Sequence, residues 1–387
     1  MKAKTARCII QVLLPAALLF TACASGTSAA ENSANTPSAS ASENAENADQ
    51  SDASQTAEQS DASQTMEQPD VSQSSDPSGE AGIEIQADTE TNTASEASTT
   101  APASVPANDY PDPYAMETYD SIPDDLMGWA EDVEYGSVEA DVEYYSEQAG
   151  DVKYCNVMLP AGYDGSQEYP VLYMVHGWGG MYDSHIHVGS ILHKLYGNML
   201  SEGLTKPMII VGVDMYTDPL ADKDSKSDEE MRHSYDKAVD DIALTLMPFI
   251  EEHYSVKKGR TTTAITGVSE GATICLATGF KWQSKIAYIG SFAPCPGVIP
   301  TPYAKGSYWN WPILDDFTIE SPETMPRYIY LTVGSEDPWC VDVTAYYGRI
   351  MDEKGIPNQN DLVEGYDHDN DMWALGHYNF LQKIFLD

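Results

Sequence analysis

Thr262-Thr263-Ala264-Ile265-Thr266-Gly267-Val268-Ser269-Glu270-Gly271-Ala272 reads as a strand that runs into a sharp turn and re-emerges as a helix. The strand covers Thr262 to Thr266, the turn centres on Ser269, and Ala272 to Gly279 starts the helix. A turn this tight needs small residues on both sides of its apex, and Gly267 and Gly271 supply them. A serine hydroxyl is a poor nucleophile until a base takes its proton. Alone, the pentapeptide is a common loop pattern, so its weight depends on the elements and partners around it.

Working outward, strands and helices alternate. Ser137 to Ser146 and Asp151 to Leu159 read as an antiparallel strand pair, and Pro170 to Val175 as a buried strand. A helix is expected from Val188 to Ser201, then the apolar strand Pro207 to Val213. Lys237 to His253 is amphipathic, with Ile242, Leu246 and Ile250 on one face. Strands at Ile286 to Ser291 and Tyr328 to Val333 follow, and a last helix runs from Trp373 to Leu386. The alternation predicts an α/β domain with a mostly parallel, doubly wound sheet and helices on both faces.

The strand ending at Val175 runs straight into His176-Gly177-Trp178-Gly179-Gly180. A glycine-rich turn there can aim backbone N–H groups at a developing oxyanion. One donor is expected from Trp178 or a neighbour and the other from Glu270, the residue after the serine. Only the N–H of Glu270 is needed, so its side chain is expected to point elsewhere. His176 is read as structural. Strand Tyr328 to Val333 ends in Gly334-Ser335-Glu336-Asp337-Pro338, which puts an acid at a strand's C-terminal end, where sites of open α/β sheets lie. Asp337 is the expected acid, with Glu336 and Asp342 as fallbacks, and His368 in Gly365-Tyr366-Asp367-His368-Asp369 is the expected base. His185 and His187 form an HxH pair without a suitably spaced third ligand, so neither a metal nor a cofactor is expected.

These stretches resemble a known family. Val157 to Gly180, DDIALTLMPFIEEHYSV at 240–256, AITGVSEGA at 264–272, GSEDP at 334–338 and GYDHDNDMW at 365–373 are similar, in order, to the feruloyl esterase and esterase D group of α/β-hydrolases. The resemblance spans about Ser137 to Asp387. It implies an α/β-hydrolase fold, with Ser269 as nucleophile, His368 as base and Asp337 as acid, the roles that the chemistry suggests alone. GVSEGA departs from the usual GLSMGG, and Pro294 to Met325 matches no pattern of the group.

Composition bounds the rest. The formal net charge is -41, and Lys and Arg are absent between Arg7 and Lys153. Such a chain repels nucleic acid, which is excluded as a partner. Residues 1–22 read as a lipoprotein signal peptide: a basic start, an apolar run from Ile9 to Phe20, and small residues before Cys23. A lipid on Cys23 would tether the chain to a membrane without a spanning helix, giving an extracellular, cell-surface lipoprotein of a bacterium. Cleavage near Ala22 without lipid is the alternative. Residues 23–109 form an acidic Ser/Thr/Gln-rich segment with the tandem repeat SDASQTAEQ and SDASQTMEQ at 51–68. It lacks the apolar area to offset ordering entropy and is expected to be a disordered spacer. The folded domain is placed at 110–387. Cys295 and Cys340 each follow a strand end, so a bridge and two buried free thiols are both open.

The group that the chain resembles includes feruloyl and acetylxylan esterases, S-formylglutathione hydrolases, siderophore esterases and mycolyltransferases. Export and a long spacer disfavour the intracellular glutathione substrate. They point to an ester-decorated plant cell-wall polysaccharide, with a feruloyl or acetyl group removed. Trp339, Trp309 and Trp311 are candidate stacking residues for a sugar or phenolic ring. An acyltransferase and a siderophore esterase are the rivals of the same fold, and a non-catalytic glycan-binding surface protein is the rival from another class.

Overall fold

Short runs five to ten residues long, rich in β-branched and aromatic residues at the centre of the sheet and more polar at its borders, make the strands. In the computed structural model, which describes residues 111–305 and 310–386, they are β1 (Ser137–Ser146), β2 (Asp151–Leu159), β3 (Val171–Val175), β4 (Ile209–Val213), β5 (Thr263–Val268), β6 (Tyr288–Phe292), β7 (Tyr328–Gly334) and β8 (Gln359–Val363). The leader 1–22, Cys23, the spacer 23–109 and Trp309 lie outside the described residues. The spatial order is β1-β2-β4-β3-β5-β6-β7-β8. β1 pairs antiparallel with β2 and β2 with β4, and every other pairing is parallel. Strands β3, β4 and β5 are buried at every residue, as parallel strands covered on both faces must be.

Among the described residues, seven α-helices flank the sheet: α1 (Ile191–Ser201), α2 (Asp228–Asp236), α3 (Ala238–Asp241), α4 (Met247–His253), α5 (Glu270–Lys281), α6 (Val341–Glu353) and α7 (Asn370–Leu381). Alternation along each strand divides the core into two. Tyr173, Val211, Ile265 and Leu331 pack with Ile274 of α5 and Tyr347 of α6. Leu172, Met174, Ile210 and Tyr330 pack on the other side with Leu195 of α1 and Phe380 of α7.

Several boundaries differ from expectation, each for a local reason. Helix α1 starts at Ile191 because the Ser190 side chain caps it, accepting from His193 N–H. Helix α7 starts at Asn370 because Asp369 accepts from the N–H groups of Asp371 and Met372. The single helix expected over 237–253 is α3, a π-helical turn at Ile242–Leu246, and α4. Pro248, in the first turn of α4, offers no N–H to an α-helical ladder, and the π turn ends beside it. Helices α2 and α6 and strand β8 were not anticipated.

Asp241, at the end of α3, is fully buried. Its carboxylate accepts from Lys153 Nζ at 2.7 Å, Ser146 Oγ at 2.6 Å and Tyr144 OH at 3.0 Å. The cluster ties the antiparallel pair β1–β2 to the helical layer. Removing one partner of such a pair strands the other charge, which typically costs about 3–5 kcal/mol. Asp241→Ala should therefore lower the unfolding free energy by about that amount, read as a lower urea midpoint at unchanged slope. A loss below about 1 kcal/mol would mean that Lys153 is not held by this carboxylate.

Candidate active site

Ser269 sits between β5 and α5 with φ 54° and ψ -124°. A positive φ at a residue with a Cβ costs about 1–3 kcal/mol and persists only where the surroundings impose it. Here the surroundings are backbone. A Cβ on Gly267 would lie 2.5 Å from the Gly271 carbonyl oxygen, and one on Gly271 would lie 2.2 Å from that of His176. The two glycines let the turn close and let α5 start against the end of β3. Consequently α5 begins at Glu270, two residues earlier than expected.

The hydroxyl of Ser269 meets His368 Nε2 at 2.9 Å, and His368 Nδ1 meets Asp337 Oδ2 at 2.6 Å. His368 lies on the loop between β8 and α7, and Asp337 follows β7. The second oxygen of Asp337 accepts from the N–H groups of Trp339 at 2.8 Å and Cys340 at 2.9 Å. Burial opposes ionisation of Asp337, but His368 and these two N–H donors outweigh it and hold the carboxyl below its ordinary range. Glu336 and Asp342, the fallback acids, are both exposed to solvent. The His368 ring stands between Trp339 and Trp373, with centroids 5.2 and 5.6 Å away and planes near perpendicular.

The loop His176–Gly180 lies alongside the nucleophile, since a Cβ on Gly177 would be 3.4 Å from Ser269 Cβ. His176 bonds Gly177 O through Nδ1 at 2.7 Å, and its Nε2 accepts from Met215 N–H at 3.2 Å, which ties β3 to the end of β4. The Glu270 N–H is in the first turn of α5, where amides have no partner within the helix. Its side chain is only 1% exposed. It faces Arg232 of α2, with Oε1 3.1 Å from Nε in an ion pair rather than an aligned hydrogen bond. Burial pushes the Glu270 carboxyl above its usual range, and Arg232 pulls it back. Arg232 itself was not singled out in the sequence.

The remaining candidates separate. Trp339 is 51% exposed beside His368, a position from which it could face a substrate ring. Trp311, also exposed, stacks instead on His233 at 4.8 Å. Cys295 and Cys340 are free, buried thiols whose sulfurs are 4.0 Å apart. Cys295 Sγ is 3.7 Å from Ser269 Oγ. Burial and the neighbouring histidines push the His185 imidazole down to about 3, whereas His187 is exposed. Among the described residues, three side chains able to share a metal ion come together at Asp337, Cys340 and His368. Two of these already hold each other.

A strained serine on a strand-to-helix turn, with a histidine and a buried carboxylate at the C-terminal ends of parallel strands, defines the class as an α/β-hydrolase. Residues 146–375 match the model of the Esterase family. The chain belongs to that family and is by class a carboxylic ester hydrolase. It is 30% identical over 267 residues to an endo-1,4-beta-xylanase/feruloyl esterase of Xylanibacter ruminicola, covering 67% of this chain and 33% of that protein. The chain thus spans about a third of that relative's length. A ferulic acid esterase of the CE1 group from Anaeromyces mucronatus, solved in complex with ferulic acid, is 30% identical with a TM-score of 0.63. That match covers 70% of this chain and 98% of the other. The feruloyl esterase module of Clostridium thermocellum, solved as a variant with sinapinate, shares the fold at 16% identity and a TM-score of 0.51, over 72% of this chain and 96% of that one.

Proposed function

We propose that the chain is a serine esterase that removes feruloyl groups from plant cell-wall polysaccharide. The observation that carries the mechanism is the continuous relay from Ser269 Oγ through His368 to Asp337, at 2.9 and 2.6 Å. His368 Nε2 takes the hydroxyl proton as Oγ attacks the ester carbonyl. The imidazolium that forms is held by the Asp337 carboxylate. The N–H groups of Trp178 and Glu270 receive the oxyanion. The tetrahedral adduct collapses to an acyl-enzyme as His368 returns its proton to the departing sugar oxygen. A water then repeats the cycle and releases the acid.

Two observations support a hydroxycinnamoyl acyl group. The similar Anaeromyces mucronatus esterase, matched over nearly its whole length, was solved with ferulic acid. Trp339, half exposed and edge-on to His368, offers a flat apolar surface next to the reacting centre. Acetylated xylan is the second reading, because the relay from Ser269 to Asp337 serves either acyl group. The kcat/KM for methyl ferulate should exceed that per acetyl group of acetylated xylan by at least about tenfold, a modest ~1.4 kcal/mol of transition-state binding. The opposite ranking would make this an acetylxylan esterase.

A further inference from the structure

Helix α2 reaches both halves of the oxyanion site with two side chains one turn apart. Arg232 is fully buried. Its Nε faces Glu270, one terminal nitrogen bonds Asp236, and the other lies 3.4 Å from the carbonyl of Gly297. Gly297 has φ 116°, and a Cβ there would be 2.6 Å from that guanidinium nitrogen, so the loop after β6 is shaped around Arg232. Tyr235 accepts from Gly179 N–H at 3.2 Å, and its ring stands edge-on to Trp178 at 5.3 Å. The start of α2 is set by a reciprocal capping box between Ser227 and Glu230.

A carboxylate beside an oxyanion site is a liability, because an uncompensated negative charge there opposes the charge that develops on the substrate. Here Glu270 supplies that carboxylate in the residue that also supplies a donor. A guanidinium 3.1 Å away offsets it and keeps it on the α2 side.

We propose that Arg232 is a positioning residue for the hydrolysis. It holds Glu270 and offsets its charge, while Tyr235 of the same helix holds the Trp178–Gly179 backbone, so that α2 sets the spacing of the two oxyanion donors. This rests on the donors assigned above, and the test separates the two.

The test measures nitrophenyl acetate turnover in Arg232→Met, Arg232→Met/Glu270→Met and Tyr235→Phe, each titrated for reactive serine with an organophosphonate. Arg232→Met should lower kcat about 100-fold with KM within about threefold, since small misplacements in a preorganised site cost that much. The double variant, free of the stranded carboxylate, should recover at least about tenfold over the single variant. Tyr235→Phe loses one acceptor while keeping the ring and should lower kcat about tenfold at unchanged KM. A merely structural Arg232 would lower thermal stability and the titrated fraction without changing kcat per titrated site. That outcome overturns the proposal, as does a double variant no better than Arg232→Met. Should Arg232→Met not fold, Tyr235→Phe decides, and a kcat within about twofold of the parent overturns the role of α2. If the phosphonate fails to label Ser269 in the parent protein, the underlying acyl-enzyme reading fails instead.

Discussion

Ser269→Ala is expected to lower kcat for a nitrophenyl ester by roughly 10⁴- to 10⁶-fold, the range seen when the nucleophile of a serine relay is removed. Oγ is the atom that bonds to the acyl carbon, and it is the group within 2.9 Å of His368 Nε2. Other nearby nucleophiles do not replace it. Cys295 Sγ is 3.7 Å from Oγ and 4.0 Å from the Cys340 sulfur, but both ring nitrogens of His368 are already engaged, by Ser269 and Asp337. Binding should survive, because the oxyanion donors and the exposed face of Trp339 are untouched, so KM should stay within a few-fold (about threefold) of the parent. The fold should survive as well, since alanine fits where serine does and carries the same backbone strain at φ 54°. Steady-state assay of carefully purified protein measures the effect. Retention of about a tenth of parental kcat would refute the acyl-enzyme on Ser269.

Asp337→Asn should cost about 10⁴-fold in kcat, again with the fold intact. An asparagine can still accept from the Trp339 and Cys340 amides, as Asp337 Oδ1 does. Toward His368 Nδ1 it presents either an amide N–H, which selects the wrong tautomer, or an oxygen without charge to stabilise the imidazolium. The same residue makes a stability prediction whose sign is fixed. Its folded carboxyl is held below the ordinary range, so the unfolded chain binds the proton more readily. The stabilisation is complete above the unfolded value of about 3.9 and is lost as pH falls through the lower folded value. Urea midpoints across that acidic window should therefore fall more steeply for the parent than for Asp337→Asn. Parallel curves would show that the carboxylate is not stabilised in the fold.

The strands and the side chains that meet at Ser269 are legible because both leave strong local marks. Buried parallel strands such as Val171–Val175 are unbroken apolar runs, and a nucleophile turn must have glycines where backbones touch, as at Gly267 and Gly271. Asp337 and His368 were found because strand ends in such sheets are where acids and bases belong. What escaped notice was polar or mixed in pattern. Helix α2 reads DEEMRHSYD and buries only Arg232, Ser234 and Tyr235, so no apolar stripe announces it. The Ser227–Glu230 capping box was its signal. Helix α6 contains Val, Thr and Tyr, which favour strands, yet Val343, Tyr347 and Met351 at four-residue spacing are its buried face. Strand β8 reads QNDLV and buries only Val363. Glu270 was expected to turn away from the site. An arginine 38 positions earlier joins it in the core, a pairing across two helices that leaves no local pattern.

The two outermost strands have a consequence for how the molecule behaves in company. Among the described residues β1 and β8 are the border strands of the sheet, and a border strand is a template on which another copy could add a strand. Along β1, Glu139, Asp141 and Glu143 recur, and the register shifts between Glu139 and Val142, where Asp141 adopts φ 55°. Along β8, Gln359, Asn360 and Asp361 make the first three positions polar. Two copies approaching border to border would bring like charges together across a kinked and interrupted rim. Each sheet is thereby discouraged from growing into its neighbour, so the acidity of this rim opposes fibrous self-association.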